Sequence, residues 1–393
     1  MCKAREVMRN AAYSFARRHS TPLQTAFFQQ PTHIKVHMAY PGRLKKLWKS
    51  IGSHADGMLV TSPENVRYLC GFSGSEGTLL LTRDNGFFLT DGRYTTQARQ
   101  EVIDFKIVTL KKKWKQIGSL TARLKITSLG YEARHISVTM LQELEKNTNA
   151  CELHPVTAKL DSLRSCKDAG EIRLLKKAAC IAAESLAQVV PQVRPGMREI
   201  ELAAELEYRM RLNGGQGCAF PTIVASGPRS ALPHAATTDR AIRAGDLLTI
   251  DYGTRYEGYC SDETCTFIIG KPDARQKKLY DLVRQAHDLA IEALASGQTA
   301  LAIDAVARNH LSKGGYGKYF THGTGHGVGL NVHEFPTVST ASETILQNAM
   351  VITIEPGIYI PGWGGIRIED TLVVRTQGCD YITRTKKNLT VLG

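Results

Sequence analysis

The stretch THGTGHGVGLNVHE, Thr321 to Glu334, sets three imidazoles among four glycines. His322 and His326 stand four apart, a spacing that on a helix would turn both rings toward one zinc ion. The glycines argue against a helix: Gly323, Gly325, Gly327 and Gly329 would each cost about 1 kcal/mol in a helix interior. No Glu follows the first His either. A loop or irregular strand is expected, its glycines letting the backbone crowd a ligand. One imidazole of such a loop suits a metal; three from the same loop do not.

The other donors would have to be acids, and four stand where acids are rare. Asp251 and Asp262, in TIDYGTRYEGYCSDETCTF, fall on the two arms of an expected hairpin that turns near 256–258. That turn would let the two carboxylates face each other across adjacent strands. Glu355 interrupts the apolar VITI run ahead of Pro356-Gly357, and Glu369 follows Arg367 and Ile368 in GIRIED. Any one of them could be a strand-end residue turned to water. All four beside a His-Gly loop point to a metal centre, because a buried carboxylate is costly unless paired or bound to metal. Four carboxylates and one imidazole suit two hard divalent cations, with the imidazole favouring Mn²⁺ or Co²⁺. Two such ions about 3.5–4 Å apart acidify a shared water near neutral pH.

The elements that must position these residues fall into two regions. From 41 to about 163, short strands alternate with helices. GMLVTS, GTLLLTRDNGFFLTDGRY with a hairpin turn at Asn85-Gly86, KIVTL and SLGYEA read as strands, and helices are expected near 42–52, 93–101 and 137–148. From 164 to 393 the character changes. Asp168 with Glu171 three residues on resembles a capping box, a long helix follows, and Arg194-Pro195-Gly196 breaks it before a second helix through Arg211. After the hairpin of the two aspartates come a helical pair, 275–295 and 299–313, and then strands to the end. No repeat is visible in the residues. An α+β chain is expected, a small α/β domain preceding a larger one.

In that order LPHAATTDRAIRAGDLLTIDYG, YCSDETCTF, THGTGHGVGLNVHE, ITIEPGIYI and GIRIEDTLVV resemble the aminopeptidase P, prolidase and methionine aminopeptidase group of M24 metallopeptidases. YLCGFSGSEGTLLLT and FLTDGRYTTQA resemble the N-terminal, creatinase-like domain of aminopeptidase P in particular. The resemblance implies a pita-bread fold for the second region, and metal ligands Asp251, Asp262, His326, Glu355 and Glu369, with Asp262 and Glu369 bridging. It also implies a hydroxide formed between two metals, Mn²⁺ foremost with Co²⁺ or Zn²⁺ as alternatives, and release of the N-terminal residue from peptides with proline second. Prolidase, an Xaa-Pro dipeptidase, is the nearest rival. His234, His322 and His333 would line the substrate site and join Glu355 among the catalytic residues. His333 or His234 would donate a hydrogen bond to the developing oxyanion, Glu355 would shuttle a proton, and Arg367 would steady a carboxylate or bind substrate. Cys265 departs from the pattern, since several relatives carry Arg there; packing or assembly should feel it more than metal binding. A homodimer is a further implication.

Bulk properties exclude other classes. The chain has 393 residues, 42% hydrophobic and 22% charged, with no apolar run long enough for a membrane span. Its nine cysteines show no CxxC pair, which suits free thiols in a reducing cytoplasm. The net charge of +13 is partly local: residues 1–40 hold six Lys/Arg against Glu6, and Lys111–Lys115 adds a cluster. Neither interleaves aromatics as a nucleic-acid groove would, so nucleic-acid binding on a catalytically dead version of the fold is a remote alternative. Residues 1–40 read as a disordered leader. His287 and His310, in helical segments outside the motifs, are expected at the surface.

Overall fold

A computed structural model describes residues 40–393; the leader reading lies outside the described residues, Tyr40 excepted. The chain first builds a six-stranded sheet, in the order Lys106–Thr109, Gly86–Thr90, Thr78–Thr82, Gly57–Val60, Ser128–Tyr131 and Glu152–Pro155. Thr78–Thr82 runs antiparallel to both its neighbours, and the other three pairings are parallel. GMLV is buried on both faces, which explains a continuous apolar run rather than alternation. Gly86 is not a turn residue: the hairpin closes through Arg83–Asn85, and Gly86 enters the strand, where a Cβ would meet the Phe105 ring at 2.5 Å.

Three of its helices, Tyr40–Ile51, Thr95–Glu101 and Val138–Asn147, lie where the sequence indicates them. The helix Pro63–Cys70 was not anticipated, although its signals are present. Ser62 caps it by accepting from the Asn65 amide, Pro63 opens it, and Gly71 closes it at φ 86°. Lys113–Arg123, inside the basic cluster, and Thr157–Ser165 are helices as well.

After Cys166 the same order of elements runs twice, although the residues do not repeat. Helices Ala169–Val189 and Glu199–Leu212 cover a sheet of Ile223–Ser226, Leu247–Tyr252, Glu263–Ile269 and Val391–Leu392. Leu186, Leu206, Met210, Ile250 and Phe267 form the core between those layers. Helices Ala274–Glu292 and Ala300–Lys313 then cover a second sheet of Glu334–Val338, Gly325–Gly327, Val351–Ile354, Asp370–Val374 and Cys379–Tyr381, over a core that includes Val283, Ile303, Ile352 and Leu372. A core asks only for apolar residues at the right period, so two copies of one architecture need share no letters. The Asp168–Glu171 capping box is present, each side chain accepting from the other residue's amide at 2.9 Å.

His287 departs from expectation. It is 2% exposed, with Nδ1 3.0 Å from Asp288 and Nε2 3.3 Å from Asp370. Burial pulls its pKa down, but the two carboxylates outweigh that and raise it. Partner acids from other positions, invisible to helical periodicity, draw it inside. His310 is half-buried rather than at the surface. Among the described residues no helix is long and apolar enough to cross a membrane.

Candidate metal centre

The first sheet of the second half contributes Asp251 and Asp262. Strand register opposes Asp251 to Thr264, so the two aspartates do not face each other directly; Asp262 lies just ahead of its strand. The connection between the arms closes as a small hairpin, Tyr256 opposite Tyr259, with Glu257 at φ 47° and Gly258 at φ 78°, the two-residue turn whose backbone twist suits antiparallel strands. The second sheet contributes the rest. His326 is the middle residue of Gly325–Gly327, Glu355 follows Val351–Ile354, and Glu369 precedes Asp370–Val374.

The glycines around His326 serve the strands rather than a ligand. A Cβ at Gly325 would meet the Thr353 carbonyl oxygen at 2.0 Å, and one at Gly327 the Phe335 oxygen at 2.5 Å. This close packing carries His326 in. Its Nδ1–H donates to the Gly327 carbonyl at 3.1 Å, which leaves the Nε2 lone pair facing the acids. Nε2 is 3.3 Å from Glu355 Oε1 and 3.5 Å from Asp262 Oδ2.

Donor atoms of Asp262, His326 and Glu369 all lie within 4.8 Å of one another. Asp251 Oδ1 is buried without a hydrogen-bond partner. All five residues line one cavity of about 1390 Å³. Burial, then the charges of neighbouring acids, push Asp262 and Glu369 well above the carboxylate range. Glu355 is pushed up to about 8, with burial again the main cause. Burial also lowers His326 to about 4, so the ring is neutral. A neutral imidazole and four crowded carboxylates, one with an orphaned oxygen, form a donor set that fits divalent cations.

Arg367 organises the acids. Its Nη2 donates to Asp251 Oδ2 at 2.7 Å, Nη1 to the Tyr359 hydroxyl at 2.9 Å and the Pro233 carbonyl at 3.1 Å, and Nε to Thr264 Oγ1 at 3.1 Å. Thr264 in turn donates to Glu369 Oε2 at 2.6 Å. One guanidinium thus holds Asp251 directly and Glu369 through a hydroxyl. Thr353 plays a similar part, accepting from the His326 amide and donating to Glu355 at 3.3 Å.

The remaining histidines differ. His322 Nδ1–H donates to the Gly323 carbonyl at 2.7 Å, and its Nε2 accepts from Tyr359 at 2.8 Å. Both nitrogens are engaged, and burial lowers the ring to about 4. His333 and His234 are exposed in the cavity wall. The His333 ring lies 4.3 Å from that of His326. Cys265 points away from the acids into the apolar core opposite Ile250, with Lys387 Nζ 3.6 Å from its sulfur.

Thr264, Thr353 and Tyr359 were missed by sequence reasoning. For Thr264 a signal existed, since it stands two residues past Asp262 on the same face of an extended chain. Tyr359 had none, because its hydroxyl matters only once Arg367 and His322 arrive from other segments.

Residues 173–376 match metallopeptidase family M24, and residues 43–166 match the creatinase/prolidase N-terminal domain. A peptidase of Bacillus subtilis is 41% identical over 89% of this chain and 99% of its own. The structure of an Xaa-Pro dipeptidase from Bacillus anthracis superimposes with a TM-score of 0.88 at 36% identity, covering 90% of this chain and all of the other. That of an X-Pro aminopeptidase from Thermotoga maritima gives 0.82, also at 36% identity, over 86% and 98%. Matches of this extent establish the expected α+β architecture, a creatinase-like first half before a pita-bread second half.

Proposed function

The chain belongs to metallopeptidase family M24, and on that premise we propose that it releases the N-terminal residue from peptides with proline in second place. In this reading 41–163 form the accessory domain and 164–393 the catalytic one. Asp251, Asp262, His326, Glu355 and Glu369 would hold two divalent cations. Oxygen-rich donors with one imidazole favour Mn²⁺, with Co²⁺ or Zn²⁺ as alternatives. When bound, the cations lower the pKa of a trapped water and so supply the nucleophile for amide hydrolysis.

The protein's own groups do the rest. Glu355 accepts the water's proton and passes it to the leaving nitrogen. His333 and His234, exposed in the cavity wall, donate to the carbonyl oxygen as it gains charge. Arg367 holds the Asp251 carboxylate in place through Nη2. With both nitrogens of His322 spent on Tyr359 and Gly323, its part is to hold the Tyr359–Arg367 pair while its ring lines the cavity. His333→Ala is expected to lower kcat about 10²-fold while metal content stays at two ions per chain; turnover equal to wild type would remove His333 from the reaction.

The observation that carries the aminopeptidase reading is the size of the cavity. Its roughly 1390 Å³ exceeds the roughly 300–1,000 Å³ that encloses one small ligand, leaving room for a peptide beyond the proline. The likeness to the Thermotoga maritima X-Pro aminopeptidase supports it. A second reading, Xaa-Pro dipeptidase, is favoured by the Bacillus anthracis likeness. Metal-depleted protein resupplied with Mn²⁺ and given Xaa-Pro and Xaa-Pro-Yaa peptides separates the two. Cleavage of the tripeptide after its first residue is expected. Cleavage of the dipeptide alone selects the second reading, and cleavage of neither overturns both. Free thiols at the eight cysteines of the described residues support a cytoplasmic location, and a homodimer without nucleic acid completes the proposal.

A further inference from the structure

Glu334 closes the His-Gly stretch, and no step above uses it. Its side chain is 4% exposed. Oε1 accepts from Arg164 Nη2 and from the Asn331 amide at 3.0 Å, and Oε2 accepts from Lys167 at 3.2 Å. Burial would raise this carboxyl, but Lys167 and Arg164 outweigh it and hold it below the usual range. The carboxylate also presses on its own loop. A Cβ at Gly329 would meet Glu334 Oε2 at 2.4 Å, and the Gly329 carbonyl is taken by the Cys260 amide at 2.8 Å. The segment from Gly329 to Glu334, with His333 at its end, is therefore folded around one buried anion.

One of the two cations that grip this anion, Arg164, belongs to a chain of contacts leading out of the second half. Arg164, in the last turn of the helix Thr157–Ser165, donates through Nη1 to Asn65 Oδ1 at 2.9 Å. Asn65 donates through Nδ2 to Glu132 Oε1 at 2.5 Å. Glu132, 1% exposed, accepts the amides of Thr61 at 2.5 Å and Ser62 at 2.9 Å. Thr61 and Glu132 directly follow the neighbouring parallel strands Gly57–Val60 and Ser128–Tyr131. Asn65, Glu132, Arg164 and Glu334 all border the cavity that holds the acids.

We propose that Arg164 is a positioning residue for the reaction: through Glu334 it fixes the His333 imidazole beside the metal centre, and Asn65 and Glu132 anchor that grip in the first half of the chain. The inference rests on the role given to His333 above. The first half is then part of the catalytic apparatus, because the strand ends of its sheet set the geometry of a catalytic loop. The planar fork of Arg164 spans Asn65 and Glu334 at once, which an ammonium on a flexible stem does only in part.

The test uses the full chain loaded with Mn²⁺ and three variants, Arg164→Met, Arg164→Lys and Asn65→Ala. Arg164→Met is expected to lower kcat about 10–100-fold with KM and metal content unchanged, and Arg164→Lys to recover part of the loss. Asn65→Ala should cost less, and adding it to Arg164→Met should cost nothing more, because the two residues act along one path. Amide hydrogen exchange should quicken over 328–334 in Arg164→Met and not across the rest of the second half. Unchanged kcat, or a loss matched by lost metal with exchange over 328–334 unaltered, overturns the proposal. If Arg164→Met fails to fold, the same readouts on Asn65→Ala and Arg164→Lys decide. If the wild-type chain cleaves no Xaa-Pro peptide, the proposed function falls, while loop exchange still decides the positioning.

Discussion

Alanine at Asp262 or at Glu369 is expected to abolish peptide hydrolysis, a loss of about 10³-fold or more. These two carboxylates, with His326, place donor atoms within 4.8 Å of one another, and both are buried among other acids. Each removal takes away a carboxylate donor that the adjoining Arg367 and Thr264 do not replace, since they hold Asp251 and Glu369 in place rather than offering a carboxylate of their own. Metal content should fall below two ions per chain in step with activity, and excess Mn²⁺ should not restore turnover. The fold should survive, because losing one of four crowded carboxylates relieves repulsion in the metal-free protein. Circular dichroism establishes the fold and elemental analysis the metal. Full activity in either variant would remove these residues from the centre.

How far this centre could be read from the letters depends on the kind of information each part uses. The four candidate acids were legible because each stands in or beside a strand-like run where acids are rare, whereas the choice of His326 among three imidazoles came from the resemblance. The wider fold was legible through motifs strung in order over both halves. Long-range register was not. Asp251 and Asp262 share a hairpin, yet register pairs Asp251 with Thr264, a fact set by a turn whose positive φ values at Glu257 and Gly258 only the backbone shows. The glycines were assigned to a ligand, but Thr353 and Phe335 carbonyls fill the space a Cβ would need. His287 looked like a surface residue because its partners, Asp288 and Asp370, include one from a distant strand. The doubled architecture of the second half left no trace in the letters, since packing fixes period and volume but not identity. Most of what escaped the sequence depends on two segments meeting; the helix Pro63–Cys70, whose caps are local, is an exception.

Chelating the metal is expected to make the fold less stable as pH rises, the reverse of common carboxylate behaviour. In the unfolded chain Asp and Glu titrate near about 4. In the metal-free fold, burial and then mutual repulsion raise Asp262, Glu369 and Glu355, the last to about 8. Across that interval the folded state binds more protons than the unfolded one. The stability tied to these groups is therefore complete below about pH 4 and is lost as pH climbs through their folded values. The loss should be on the order of a few kcal/mol, visible as a falling Tm between about pH 5 and pH 8. Mn²⁺ should remove the fall, because the acids must be ionised to bind it and binding then favours the fold more strongly as protons leave. The Tm gap between loaded and chelated protein should be widest at the alkaline end, and Glu369→Gln should flatten the chelated curve. A chelated protein whose Tm holds level or rises over that range would mean that the four carboxylates are not crowded together in the native state.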